Sequence, residues 1–420
     1  MLISDVWAKK ILNSKKEETI KVVVKSGNRL GMGCAPSGTS TGKREVVAFP
    51  NNDVDKAVDF INKLDLSFLD INKFEDFLEV ENFLKEFDNT KDLSIIGGNS
   101  VIALEFAILN LFQPVYNFLS NRVSIPLPIG NCIGGGAHVL GESADFQEFL
   151  VIAETDNFFD ANFANMKCYR ILRERIGVDS RSMEGALAPN LSNLEILDVM
   201  HGVVKEVSRD TGIKVRLGVD MAASNFYDGF SYNYNNFSLL NKKNKLNRDK
   251  QIDFVLKLKK KYKLYYVEDP LHEEDFSGFE VLRKKSNALI CGDDLIVTSP
   301  EILTKNLNSV NSIIIKPNQV GSLIKTKKII DIAKKNKIVP IISHRSGETS
   351  DTTIVDLAVG WNIPFIKCGV IGEGRENKLR KLGLIEKNLL DGITTQKSFL
   401  AKISPKDPKD ELFNRKIFKL

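Results

Sequence analysis

A short apolar run that stops on a charged side chain, repeated down the second half of the chain, limits the folds open to this sequence. Ser312 to Gln319, SIIIKPNQ, is the sharpest case: a β-branched run that Pro317 stops just after Lys316. VRLGVD ends in Asp220, YYVEDP in Glu268 and Asp269, ALICGDD in Asp293 and Asp294, VPIISHRS in His344, Arg345 and Ser346, and PFIKCG in Lys367. The later runs recur roughly every 25 residues, close to one strand-helix unit of a parallel (β/α) barrel. Between them, stretches such as Asp249 to Lys261 and Ser322 to Lys335 are amphipathic and lysine-rich, which predicts crossover helices. A closed parallel barrel opens its strand C-termini onto one face, so these charges are expected to share one mouth.

That convergence suggests a chemistry. Asp220, Glu268 and Asp293 are hard oxygen ligands from three strands, a set suited to Mg²⁺. Lys316 beside a divalent cation and Lys367 should have its charged form disfavoured, which lowers its pKa towards that of a base. A lysine base beside a metal fits removal of a proton next to a carboxylate, with the metal stabilising the enediolate and Arg345 with Ser346 holding a phosphate or second carboxylate.

At these residues the chain resembles the enolase family: EDP at Glu268, GDDL at Asp293, IKPNQVGSL at Lys316 and SHRSGET at Ser343 look like its motifs. The resemblance implies an α/β protein, a C-terminal enolase-type (β/α)8 TIM-like barrel (126–420) behind an N-terminal α+β domain (1–125). It implies reversible dehydration of 2-phospho-D-glycerate to phosphoenolpyruvate, with two Mg²⁺ ions. QEF at Gln147 to Phe149 places Glu148 in the acid/base cluster, and MEGALAPNL from Met183 assigns Glu184 as the acid that protonates the departing hydroxyl. Met183 stands where the family pattern has an acid; an apolar neighbour is expected to raise the Glu184 pKa by desolvation. His138, in NCIGGGAHVLGES, is implied as a phosphate-facing donor, with His344 and Lys367 also at the substrate. The run Pro36 to Lys43, PSGTSTGK, is no nucleotide P-loop, because its glycine interval is one residue short and Arg44 follows the lysine. It resembles the mobile enolase loop SGxSTG, which implies that Ser40 closes over substrate and ligates the second Mg²⁺.

Composition adds few constraints. At 420 residues with 43% hydrophobic content, the chain can build a barrel and a smaller partner domain. A net charge of +5 against 59 basic and 54 acidic residues argues for neither nucleic-acid nor membrane binding. Cys34, Cys132, Cys168, Cys291 and Cys368 have no paired spacing, so a reducing, cytoplasmic setting is expected rather than disulfides or zinc. The amino terminus lacks a secretory-type apolar core.

The apolar stretch Ser94 to Phe118 is broken by Asn99, Glu105, Asn110 and Gln113, which predicts a buried helix packing towards the barrel rather than a membrane span. Before it, ETIKVVVKSG, NRLGMGCAPSG and KREVVAF predict a three-stranded antiparallel sheet, followed by helices over 53–64 and 73–87. Two regions depart from the family pattern: Asn13 to Ile20, NSKKEETI, replaces SRGNPTVE, and the tail after Gly372 keeps only a loose echo, GRENKLRKL. Both are expected to bear on subunit contacts, in a homodimer or higher homo-oligomer, and on domain packing. A family member drifted to another acid, or a non-catalytic binding paralogue, stays open as an alternative.

Overall fold

The apolar runs that end in charged residues are strands of one closed barrel. A computed structural model describes residues 1–39 and 42–400, with 392–400 described by backbone alone; Ser40, expected in the lid, lies outside the described residues. In chain order, β1 (Asp5–Leu12), β2 (Glu18–Ser26) and β3 (Arg29–Cys34) form an antiparallel sheet. The barrel starts with β4 (Leu127–Gly134), β5 (Glu148–Glu154) and β6 (Lys214–Asp220), and a small hairpin follows, β7 (Tyr232–Tyr234) with β8 (Asn244–Leu246). β9 (Tyr266–Glu268), β10 (Leu289–Gly292), β11 (Ser312–Ile315), β12 (Val339–Ser343) and β13 (Phe365–Lys367) complete the ring, and β13 closes onto β4. Every residue of β4, β9, β11, β12 and β13 is buried, as β-branched runs flanked on both faces must be.

One strand departs from the expected all-parallel pattern. β5 runs antiparallel to both β4 and β6, because residues 135–147 turn the chain straight back instead of crossing over through a helix. Two helices, Phe158–Ile176 and Asn193–Thr211, then follow in succession before β6. The reversal puts the first residue of β5, Glu148, where its neighbours end. Glu148 pairs in register with Asp220, and Asp220 with Glu268.

The amino-terminal sheet corrects one further expectation. Its third strand is β1, not the run from Lys43 to Phe49. In β1, Val6 and Ala8 face inward while Asp5, Trp7 and Lys9 face out, a period of two that the lysine pair then obscures. The 43–49 backbone is committed to docking instead: Val46 N–H donates to the Gln319 carbonyl at 3.0 Å and Val47 N–H to the Asp92 carbonyl at 2.8 Å.

The helix Gly98–Leu109 is buried at every residue and joins sheet to barrel. Gly31 and Gly33 of β3 lie flush on it, where a Cβ would overlap the carbonyls of Ala107 and Ala103. On its other side Glu105 accepts the Leu323 N–H at 2.8 Å, and Glu81 accepts the Ile324 N–H at 3.2 Å. Two glutamates of the amino-terminal domain thus cap the barrel helix Leu323–Lys335, whose positive end favours them. Among the described residues no helix is long and apolar enough to cross a membrane.

Burial, with Glu81 close by, holds the Glu105 carboxyl well above the ordinary range. The folded state therefore binds a proton that the unfolded state releases, and the resulting stability is lost as pH rises from the unfolded carboxylate pKa through the folded one. Glu105→Gln, which keeps the acceptor for Leu323 and donates to Glu81 at any pH, is expected to leave stability unchanged near pH 4 and raise it by on the order of 1 kcal/mol near pH 8. Urea unfolding at both pH values is the check; a variant less stable at pH 8 would mean that Glu105 is ionised in the fold.

Candidate active site

The mouth is assembled from strand ends. Glu148 opens β5, Asp220 closes β6, Glu268 closes β9, and Lys367 closes β13; Asp293 follows β10, Lys316 follows β11, and His344 to Ser346 follow β12. All of these side chains are buried or nearly so. Gly38, Thr39, His138, Gln147, Glu148, Glu184, Asp220, Lys316, Arg345, Ser346 and Lys367 are among the residues lining a single tight cavity.

Lys367 stands at its centre. Its Nζ lies 2.7 Å from Glu268 Oε2 and 3.0 Å from both Asp220 Oδ2 and Glu148 Oε2. Burial opposes the ammonium, but Asp220, Glu148 and Glu268 outweigh it and hold the group well above the ordinary lysine range. Lys316 makes the second such pair, with Asp293. The acidification expected of Lys316 depends on a divalent cation beside it; the protein groups alone shift it the other way. Burial does push its pKa down, and Arg345 and Lys367 add to that, yet contact with Asp293 wins and the net shift is upward.

The acid end shows the opposite surprise. His344 Nε2 lies 3.3 Å from Glu184 Oε2, His138 Nδ1 3.7 Å and Arg375 Nη2 3.9 Å from Glu184 Oε1. Asn131 Nδ2 donates to Glu184 at 3.3 Å. Burial pushes the Glu184 carboxyl up, but His344, His138 and Arg375 hold it well below the ordinary range, so Met183 does not set its charge as expected. Glu148 is the carboxyl that burial, with Glu184, Asp220 and Glu268, raises well above the ordinary range despite Lys367. His138 Nδ1, 3.9 Å from Glu148 Oε1, stands between the two. A buried pair whose affinities for a proton are driven apart is the arrangement acid/base work requires.

Arg345 presents a fork, and Glu45 fills part of it: Nη1 donates to Glu45 Oε2 at 2.9 Å, Nη2 to Oε1 at 3.1 Å, and Nη1 also to Asn318 Oδ1 at 3.2 Å. Gly38 lies over the guanidinium, where any Cβ would overlap it. Gln319 Nε2 joins this pair to the lysine pair by donating to Glu45 at 3.3 Å and to Asp293 Oδ1 at 3.0 Å.

Several residues in this constellation were not expected from the sequence. Glu45 lies in the run KREVVAF, expected as a strand, and neither it nor Gln319 was assigned to the site. Asp269 accepts the N–H groups of Asp293 at 3.0 Å and Asp294 at 2.8 Å, bracing the strand end. The tail also reaches the site. Arg375 is 1% exposed and donates to the carbonyls of Arg345 at 3.2 Å and Ser346 at 2.9 Å, while buried Lys378 pairs with Glu348 at 2.6 Å, whose other oxygen accepts the Arg345 N–H at 2.9 Å. The echo GRENKLRKL therefore packs behind the site.

The donor set fits a hard divalent cation. Asp220, Glu268 and Asp293 offer only oxygen and come from three adjacent strands. Glu268 Oε1 is buried without a hydrogen-bond partner, and oxygens of Asp269, Asp293 and Asp294 lie within 4.8 Å of one another. Burial and like charge push Glu268 and Asp294 up to about 8, a cluster short of positive charge.

A capped barrel with buried lysines and carboxylates at the C-terminal ends of its strands defines the class of barrel enzymes that move protons at that mouth. Family models narrow this to one family: residues 3–113 match "Enolase, N-terminal domain" and 122–398 match "Enolase, C-terminal TIM barrel domain". The enolase of Methanosphaera stadtmanae is 40% identical over 93% of this chain and 98% of its own length, and that of Methanothermobacter thermautotrophicus 39% over 92% and 97%. The enolase of Archaeoglobus fulgidus is 37% identical over 92% and 97%. The chain belongs to the enolase family.

His344 is pushed down to about 4, by burial above all and against the pull of Glu184. An imidazole depressed on folding destabilises the fold as pH falls below the unfolded value near 6.5, because the unfolded state then takes a proton that the folded state refuses. In Nε2 NMR spectra His344 should stay neutral from pH 8 to about pH 5. A titration near 6.5 would show that Glu184 outweighs burial.

Proposed function

We propose that this protein is a Mg²⁺-dependent enolase, interconverting 2-phospho-D-glycerate and phosphoenolpyruvate as a carbon-oxygen lyase of glycolysis and gluconeogenesis. The observation that carries the reading is the opposition of base and acid: Lys316 leaves β11, four strands round the eight-stranded ring from β5, which bears Glu148. Proton removal at carbon 2 and loss of the hydroxyl at carbon 3 need groups on opposite sides of a three-carbon acid.

Asp220, Glu268 and Asp293 would hold Mg²⁺, and Ser40 a second ion. The bound metal supplies positive charge against the substrate carboxylate, which makes the proton at carbon 2 easier to remove. Lys316 takes that proton. Parting Asp293 from Lys316 leaves Arg345 and Lys367 repelling the ammonium, the direction a base requires. Lys367 holds the substrate carboxylate end in place, and Arg345 with Ser346 binds phosphate through the donors that Glu45 leaves free. Glu184 and Glu148, joined by His138, deliver a proton to the departing hydroxyl, and His344 keeps Glu184 oriented.

We place the domain division at residues 125/126 and the protein in the cytoplasm, where its five buried free cysteines stay reduced. Exposed Trp7, Leu30 and Met32, on one face of the amino-terminal sheet, support a homo-oligomer.

The test separates base from acid. In a coupled assay the wild type should form phosphoenolpyruvate only with Mg²⁺. Lys316→Ala should abolish both steps, whereas Glu184→Gln should lose on the order of 10²-fold or more in dehydration yet still exchange deuterium into carbon 2 of recovered substrate. Exchange surviving in Lys316→Ala and absent in Glu184→Gln would reverse the two roles.

A further inference from the structure

The segment Asn13 to Ile20, which departs from the family's amino-terminal signature, packs on the cover of the site. Ser14 N–H donates to the Glu348 carbonyl at 2.7 Å and Glu348 N–H to Ser14 Oγ at 3.1 Å, while Ser37 and Gly347 exchange backbone hydrogen bonds of 2.9 and 2.8 Å. Between these anchors the Lys15 side chain is 9% exposed. Its Nζ pairs with Glu17 Oε2 at 2.9 Å and donates to Thr39 Oγ1 at 3.1 Å. Thr39 Oγ1 in turn lies 2.7 Å from Ser346 Oγ.

Donor and acceptor capacity gives this chain a direction. An ammonium only donates, so Thr39 Oγ1 is the acceptor at the Lys15 end. Thr39 then has one hydrogen to give. Ser346 Oγ at 2.7 Å is a far better acceptor than Met183 Sδ at 3.7 Å, so that hydrogen goes to Ser346. The Ser346 hydrogen is left free to point into the cavity that Thr39, Arg345 and Ser346 line together.

We propose that Lys15 is a positioning residue for the phosphate end of the substrate: through Thr39 it turns the Ser346 hydroxyl into a donor aimed at a phosphate oxygen, and it adds positive charge beside Arg345. The assignment rests on the dehydratase reading for the identity of the substrate, but not for the chemistry of the anion. Glu17 holds Lys15 and also accepts from Ser37 Oγ at 2.9 Å and Asn13 Nδ2 at 3.1 Å, so the amino-terminal hairpin carries the lysine as a fixed arm.

Steady-state kinetics of folded variants, verified by circular dichroism, provide the test. Lys15→Met should raise KM for 2-phosphoglycerate about tenfold with kcat within about twofold, the signature of lost binding shared by ground and transition states. Lys15→Arg, which keeps charge and reach, should recover most of that loss. Lys16→Met, which removes an exposed cation from the same hairpin, should not raise KM. Titration calorimetry with inorganic phosphate should show the same order of affinities without any turnover. A Lys15→Met protein with unchanged KM and unchanged phosphate affinity overturns the assignment, as does a Lys16→Met protein as impaired as Lys15→Met, which would reduce the effect to loss of charge anywhere in the hairpin. A wild type that binds phosphate but turns over no 2-phosphoglycerate sinks the dehydratase reading alone, and the phosphate titrations still decide Lys15.

Discussion

Two ammonium groups buried among carboxylates are what the barrel mouth is built to hold. Neither sign could be buried alone, because an isolated charge away from water costs far more than any single packing contact returns. Lys367 is tolerable only because Asp220, Glu268 and Glu148 surround it, and Lys316 only because Asp293 meets it. That mutual dependence fixes the register of the strands that deliver them. Moving β6 or β9 by one residue would send its terminal acid to the opposite face and leave Lys367 underpaired. The reversed strand β5 belongs to the same requirement, since only its antiparallel course brings the first residue, Glu148, to the end where the others finish.

The amino-terminal domain completes this charge balance rather than covering it passively. Glu45 supplies the carboxylate that lets Arg345 be 4% exposed, and Gln319 ties that pair to Asp293. Asn318 Nδ2 donates to the Pro36 carbonyl at 3.1 Å and to Asn99 Oδ1 at 3.0 Å, so the turn after Lys316 is held by the domain above it. The helix Gly98–Leu109 can lie between the two domains because its glycine-lined seat on β3 lets it approach one side closely while Glu105 reaches the other. Closure of the site and docking of the domains are therefore one set of contacts.

What the sequence could disclose follows from the same physics. Runs such as SIIIK and YYVED are legible because burial on both faces demands an uninterrupted β-branched stretch and the mouth demands a charge at its end. QEFLVIAE reads identically in either direction, so the reversal of β5 left no trace. In β1 the adjacent Lys9 and Lys10 broke the alternation, while KREVVAF imitated it. Glu45, Arg375 and Lys378 were hidden for another reason: a lone charge in a short strand-like run or on a helix reads as solvated, and only the fold shows that each is buried against an opposite partner. The charge state of Glu184 was misjudged because it is a sum over neighbours distant in sequence. His344, His138 and Arg375, all distant from it in the chain, together outweigh the burial that pushes Glu184 up.

Two of the departures from the family pattern, at Met183 and in the Asn13 to Ile20 hairpin, meet at the cover of the site. Met183 Sδ lies 3.7 Å from Thr39 Oγ1, and Lys15 reaches the same hydroxyl from the altered hairpin. Two changes separated by most of the amino-terminal half thus meet at one atom of the cover, whereas the ring of Glu148, Asp220, Glu268, Asp293, Lys316 and Lys367 matches the expected residue types throughout. An acid in place of Met183 would set a carboxylate close to Thr39 and the Lys15 ammonium, where it would compete with Ser346 for the threonine's hydrogen. A thioether cannot, being a weak acceptor without charge. The methionine and the lysine are therefore complementary: one removes a rival acceptor and the other supplies the donor, and both leave Ser346 turned towards the cavity. The sequence has diverged where the substrate's phosphate end would be held, while the residues that would move its protons are those of the family.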